Sequence, residues 1–491
     1  MQPVIISDLP LSIEELLAVV DGAPVVIGPA AQARMAAGQA MLDQALAAGN
    51  AIYGLNTGVG HGKDTRVPAD EMERQQQFVV ASHGGAFGPP LAVEIVRAAM
   101  VVRVAGLARG GSGASPAAAE TLVSMLNAGV HPLLPETGSI GAADIGHMAG
   151  IAQVAIGTGK AEYRGDILSG AEALRRAGIP PLRLQGKDGL ALISNNGVSV
   201  GHGALLLSRA GRTAGAADEA AALSLEAVRG NPSVVSPAVA RAKPYPGQIA
   251  AADHLMQVLQ GSRLLDAGAS RSVQDPLSFR VVPQVHGALR EFLATARSAV
   301  EVELNSASDN PLVDADTGAV LSNGNFHPMV LAIAFDALRV AIVHAGQLSE
   351  RRMSHLWEDL MEAMRHTARS WTGPAAMPGV QLRYAASACF TALRLLAAPA
   401  TLDSTVLDLG VEDHATGAAL SVRKTAEALD LLEDILAIEL LLAADLLTVN
   451  PSAGLGSGTA QALGLAGRAA AGAESAAEVH RSLRSRFPRH R

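Results

Sequence analysis

The sequence predicts a mainly all-α fold in which long helices carry a loop-rich N-terminal part. Helical periodicity dominates the chain. Residues 328–348 and 421–449 are apolar around most of their circumference. Only a helix buried on nearly all sides tolerates that, as in the centre of an oligomeric bundle. Regular β alternation is scarce, with short candidates only near Ile5 and at 25–27.

The elements justify themselves in order. Residues 91–108 follow Pro89-Pro90, a suitable helix start, carry apolar Ile95, Val102 and Leu107, and stop at Gly110-Gly111. The 421–449 helix ends at Asn450-Pro451. Glycine-rich polar loops interrupt the helices at 53–62, 138–146, 194–203 and 321–325. Such loops are not core, and loops held on a rigid frame are where sites sit. A change of character near residue 205 divides the chain into three regions. These are a loop-rich catalytic region (1–205), a central bundle with C-terminal helices (206–475) and a basic tail (476–491). The tail, with Arg481, Arg484, Arg486, Arg489 and Arg491, reads as a solvated, frayed terminus.

Composition narrows the function. With 491 residues, 49% hydrophobic and 17% charged, the chain is neither disordered, a disulfide scaffold nor collagen-like. A long uncharged stretch, 189–208, holds Asn195, Asn196 and His202 and would make a poor membrane span. Asp8 and Pro3 interrupt any leader-like opening, so a cytoplasmic location is expected. The single Cys389 excludes an intrachain disulfide and a multi-thiolate metal site. A net charge of −8 argues against nucleic acid as a partner. About 93 alanines against 3% aromatics call for close helix–helix approach, and so little charge implies surface buried between subunits.

No phosphate-cradling loop, dinucleotide fingerprint or helical HExxH pair is present, and no metal centre is expected. What remains is a set of polar residues in apolar, glycine-punctuated surroundings. Tyr53, in AIYGLNTGVGHG, suits a general base if its pKa is lowered; a core tyrosine with a satisfied hydroxyl explains it as well. Arg280, in QDPLSFRVVPQVHG, suits bidentate capture of a carboxylate, or a structural ion pair. Asn310 and Asn325 have turn-forming readings, and Glu412 that of a helix-start charge.

Together these segments resemble the histidine/aromatic amino-acid ammonia-lyase family. The match runs in order through YGLNTGVG at Tyr53, ASHGGAFGPPL around His83, GLARGGSG at Gly106, LNAGVHPLLPETGSIGA ending at Ala142, and QDPLSFR. It continues through NPLV at Asn310, GNFH at Asn325, LSERR at Leu348 and EDH at Glu412. The resemblance implies an aspartase/ammonia-lyase-like helical bundle and a homotetramer whose active sites are shared between subunits. By position it implies that Tyr53 removes the β-proton and that Arg280 clamps the carboxylate of a small-molecule substrate. Asn310 becomes a supporting amide, His83 and Glu412 contacts for the substrate ring, and Phe326 a wall of the pocket.

The pattern breaks at one place. Family enzymes read GSVGASGDL there, and Ala-Ser-Gly cyclises into the methylidene-imidazolone electrophile (MIO). This chain reads Gly138-Ser139-Ile140-Gly141-Ala142-Ala143-Asp144-Ile145: the triplet is one residue short and has no serine to dehydrate. Gly157-Thr158-Gly159 keeps its spacing and identifies Asp144 as the matching aspartate. Ser139 lacks the Ala-Ser-Gly setting. No MIO and no other cofactor is therefore expected, with ordinary backbone through Ala142, Ala143 and Asp144. The tyrosine of QDPYS is Leu277, and LALxNGTQ becomes Leu190 to Gly197, where Ser194 or Asn195 holds the amide's place.

Expelling a primary amine needs activation, whereas a trimethylammonium nitrogen has no lone pair to attack MIO and leaves unaided as neutral trimethylamine. The resemblance thus points to ergothionase-like elimination from a histidine betaine, ergothioneine or hercynine. The cation would rest against Phe326, Tyr384 or Trp371, or near Asp144. Glu412 and Arg383 would read the two edges of the ring. A histidine ammonia-lyase working by an MIO-independent route and a non-catalytic tetrameric ligand-binding homologue are the alternatives.

Overall fold

The computed structural model describes residues 1–365, 376–452 and 454–485. The fold is mainly α-helical, and β structure among the described residues amounts to short two- and three-stranded sheets. The chain divides into two compact units. The first comprises Met1–Leu205, Arg297–Ile333 and Ala400–Val422; the second comprises Leu206–Ala296, Ala334–Pro399 and Arg423–Arg491. The region after residue 205 is therefore not one contiguous body, since 297–333 and 400–422 belong with the N-terminal part.

In the first unit, strands Val4–Ile6 and Val25–Ile27 pair in parallel, Val4 opposite Val25. Helix Val93–Ala108 starts just after the proline pair because Phe87–Pro90 is a strand, paired antiparallel with Pro135–Thr137. Every residue of that helix from Ile95 to Ala108 is buried, two arginines included. Arg97 donates to the Val19 and Val20 carbonyls at 2.6 and 3.2 Å, and Arg103 forms a fully buried bidentate pair with Asp309. A β-carbon on Gly201 would fall 2.8 Å from the Ala98 backbone. Glycine there allows contact at backbone distance, which is how a core with few aromatic side chains reaches native density.

The second unit uses the same device: a β-carbon on Gly379 would fall 2.3 Å from the Leu442 amide nitrogen. Several of its buried charges are paired. Arg352 meets Glu439 at 2.5 and 2.8 Å, and Glu439 also accepts from Ser224. Arg209 meets Glu433 and Asp430. The C-terminal tail departs from the frayed expectation: Ala476–Arg484 is a helix, and Arg484 bonds Glu433 at 2.7 Å and Asp434 at 2.5 Å. Three carboxylates on one helix, at 430, 433 and 434, supply partners that solvent would otherwise provide. Arg486, Arg489 and Arg491 lie outside the described residues.

The two long apolar helices differ. Leu432, Ile435, Leu442 and Ala443 of helix Ala418–Val449 are fully buried within the chain. Helix Met329–Arg365 leaves Val330, Ile333 and Val340 at 71%, 49% and 40% exposure. Two stretches, Asp188–Ala227 and Met329–Arg365, are long and apolar enough to cross a membrane; 94% and 61% of their most apolar windows are buried in the protein, as in core helices.

Candidate active site

The segment carrying Tyr53 is pinned by local polar contacts. Asn56 accepts from the Ile52 amide at 2.7 Å and donates to the Asn50 carbonyl at 2.8 Å. Buried Gln76 donates to the Gly54 carbonyl and accepts from the Leu190 amide. Tyr53 thereby lines a cavity of about 630 Å³ in the first unit, with Phe78, His83, Ile193, Asp408 and Glu412.

Tyr53 Oη accepts from the Gly60 amide at 2.9 Å. Burial raises the phenol's pKa. The Gly60 amide opposes this, Glu412 and Asp408 push further up, and Lys63 pulls down. The lowered pKa that a phenolate base requires is thus not met in the chain alone, and the carboxylates sharing the cavity are part of the reason. Burial, then Asp408, also raise Glu412, with His83 opposing. His83 caps the helix Met72–Ser82, its Nδ1 2.7 Å from the Val79 carbonyl. A carbonyl only accepts, so Nδ1 carries the proton and Nε2 is left as an acceptor.

Asp408 and His61 belong to this site and escaped the sequence reading. Asp408 Oδ2 accepts from the His61 amide at 2.9 Å, and Oδ1 lies 2.7 Å from His61 Nδ1. Asp408 and Leu409 hold φ of +48° and +55°, left-handed values that are strained for non-glycine residues. Reciprocal backbone bonds between Leu407 and Glu412 close this loop. The one local hint was His61 at the end of the Tyr53 segment.

Nothing in residues 141–144 fits formation of an MIO group. Ala142 and Ala143 carry methyl groups with no hydroxyl to eliminate. Ala143 stands at φ +62°, its amide donating to the Phe326 carbonyl at 3.0 Å, while the Asp144 amide donates to the Asn195 carbonyl at 2.7 Å. Both amides are committed to hydrogen bonds. Ser139 Oγ donates to Asp144 Oδ1 at 2.7 Å. Asp144 is fully buried and accepts further from the Ser199 amide and hydroxyl, so it is not a surface against which a cation can rest.

Other candidates fall elsewhere. Asn195 is turned onto its own backbone: Nδ2 donates to Leu192 O and Oδ1 accepts from the Gly197 amide. Asn310 Oδ1 accepts from the Asn323 amide at 3.0 Å, a loop-bracing role, and Asn325 is exposed. Phe326 contributes its carbonyl to the Ala143 contact. Arg280, Arg383 and Tyr384 belong to the second unit. Arg280 is half-buried on helix Leu277–Arg280; its amide donates to the Pro276 carbonyl, and its guanidinium makes no hydrogen bond or ion pair among the described residues. Arg383 is tied to Glu350 and Ser354, each at 2.9 Å. Tyr384 is 79% exposed, its ring edge-on to Trp357. Trp371 lies outside the described residues. Among the described residues no group of three or more His, Cys, Asp or Glu is arranged to hold a metal ion.

Comparison with known proteins gives concordant results. Residues 11–467 match the family described as aromatic amino acid lyase. Histidine ammonia-lyase from Gloeobacter violaceus is 37% identical over 444 residues, covering 90% of this chain and 86% of that one. The ergothioneine-degrading ergothionase from Treponema denticola superposes with a TM-score of 0.92 at 27% identity, covering 99% of both chains. Histidine ammonia-lyase from Trypanosoma cruzi superposes with a TM-score of 0.87 at 29% identity, covering 99% of this chain and 94% of that one.

Proposed function

The chain belongs to the aromatic amino acid lyase family and is by that membership a carbon–nitrogen lyase; on that premise we propose that it eliminates trimethylamine from a histidine betaine without MIO. The substrate is ergothioneine, giving thiourocanate, or hercynine, giving urocanate. One observation carries the reading: residues 141–144 hold no serine, and both amides at 143 and 144 are engaged in hydrogen bonds. The likeness to the Treponema denticola ergothionase supports it.

In this mechanism Arg280, whose guanidinium has no partner among the described residues, clamps the carboxylate. Tyr53 takes the β-proton. Its raised pKa falls when a permanently cationic betaine enters beside Glu412 and Asp408, since a positive charge favours the phenolate. Electrons released at the β-carbon form the double bond as the C–N bond breaks, and the nitrogen leaves with its pair as trimethylamine. His83 Nε2 and the Glu412 carboxylate accept from ring N–H groups. The enzyme acts in the cytoplasm as a homotetramer with shared sites and needs no metal.

A second reading, histidine ammonia-lyase, is favoured by the higher identity to the Gloeobacter violaceus enzyme, 37% against 27% for the ergothionase. Incubation with ergothioneine, hercynine and histidine separates the two. Ultraviolet spectra record the conjugated acrylate, and amine analysis identifies the leaving group. Trimethylamine with thiourocanate or urocanate is expected. Product from histidine alone would establish the second reading, and no product from any substrate would leave a ligand-binding homologue.

A further inference from the structure

We infer that a second cavity of the first unit, bounded by residues 303–312 and 324–327, binds a quaternary ammonium group with the Glu303 carboxylate as its counter-ion. Taking that group to be the substrate's leaving nitrogen rests on the proposed betaine reaction. The cavity, about 510 Å³, is lined by Glu303, Ser306, Ala307, Leu312, Asn325 and His327.

Glu303 stands near the end of helix Val282–Leu304, and no cation pairs with it among the described residues. Beside it lies the Asn196 amide, 2% exposed, with neither polar atom in full hydrogen-bond geometry. A half-buried carboxylate and an under-used buried amide are both costly unless a ligand completes them. Burial pushes Glu303 up to about 7; the Asn196 amide opposes, and the charge of Asp144 adds to the rise. The local field is negative, and a cation is what relieves it.

The remaining groups select the kind of cation. Ser306 Oγ is spent on the Val302 carbonyl, and His327 Nε2 lies 2.9 Å from His414 Nδ1. Burial and His414 lower the His327 pKa, so its ring stays neutral beside a positive charge. A metal ion needs about six oxygen ligands, more than the Glu303, Ser306 and Asn325 side chains supply here. A cation that makes no hydrogen bonds needs only charge and apolar wall, and Ala307 and Leu312 supply the wall. The cavity also borders the altered segment, because Phe326, between Asn325 and His327, accepts from the Ala143 amide.

The test is calorimetric titration of the intact protein with tetramethylammonium chloride. Saturable binding is expected at pH 8, with affinity falling as pH drops through about 7, because protonation of Glu303 removes the counter-charge. Glu303→Gln should weaken binding by about ten-fold or more and abolish the pH dependence. In the wild type, binding near neutral pH should release protons into the buffer, a readout that needs no variant. Equal binding by Glu303→Gln, pH-independent affinity without proton release, or equally tight binding of potassium would overturn the inference. The readout is independent of turnover. Binding through Glu303 without betaine turnover would sink only the proposed reaction; betaine turnover with an unaltered KM in Glu303→Gln would sink only the subsite.

Discussion

At the phenol of Tyr53 two influences oppose each other: the Gly60 amide favours the phenolate, while burial and the charges of Glu412 and Asp408 disfavour it. Asp408 is the adjustable part, since it also raises Glu412 and bonds His61 rather than the phenol. Replacing it by asparagine keeps an acceptor for the His61 amide and removes the charge. Both Tyr53 and Glu412 then become more acidic. Because the mechanism uses each in its deprotonated form, the rising acid limb of the kcat/KM profile should move to lower pH in Asp408→Asn. The other titratable neighbours, His61, His83 and Lys63, are retained by the substitution. A limb that stays in place or moves up would show that Asp408 does not tune the base.

Among the elements, the helix Pro378–Leu396 begins without a cap of its own, since Met377 stands at φ +50° and makes no side-chain capping bond. Asp445 of helix Ala418–Val449 supplies the acceptor, taking the Val380 amide at 3.1 Å. Burial pushes this carboxyl up to about 7, against the opposing Val380 and Gly379 amides. A folded pKa above the unfolded value means that its stabilising contribution is complete at acid pH and is lost as pH rises through about 7. Asp445→Asn, neutral throughout, should exceed wild-type Tm by a margin that is small near pH 4, grows as pH rises towards about 7, and reaches several degrees near pH 8. A constant offset at both pH values would refute the assignment. This cap also marks a limit of sequence reading. The helix at 91–108 was legible from proline, periodicity and glycine, and the motif segments carried Tyr53, His83 and Glu412 to one cavity. Asp445 reaching residue 380, and Asp408 reaching His61 across 347 positions, leave no local periodicity, because tertiary packing alone decides which carboxylate meets which donor. The inward turn of Asn195 was equally hidden, since its motif is compatible with two registers.

For the whole molecule, the proposed reaction asks residues of the two units to act on one substrate. Tyr53, His83 and Glu412 line a first-unit cavity, whereas Arg280 belongs to the second unit. Helix Met329–Arg365 exposes Val330, Ile333 and Val340, an apolar stripe of the kind that subunit contacts cover. The proposed homotetramer would cover it, and a closed symmetric assembly lets one chain's arginine serve another chain's tyrosine. Complementation tests this directly. Tyr53→Phe should abolish turnover for want of a base, and Arg280→Ala should abolish it for want of the clamp. Co-expressed, the two inactive chains form mixed tetramers. If each site takes its tyrosine and its arginine from different chains, about a quarter of the sites contain both wild-type residues, and about a quarter of the activity returns. If one chain supplies both, every site lacks one group and the mixture stays inactive. Ile333→Glu should abolish complementation as well, since a charge at a buried apolar contact dissociates the assembly, seen as a smaller species by sedimentation. Restored activity in mixed tetramers, lost with Ile333→Glu, would tie the alanine-rich, charge-poor composition to catalysis, because the surface buried between subunits would be what completes the site.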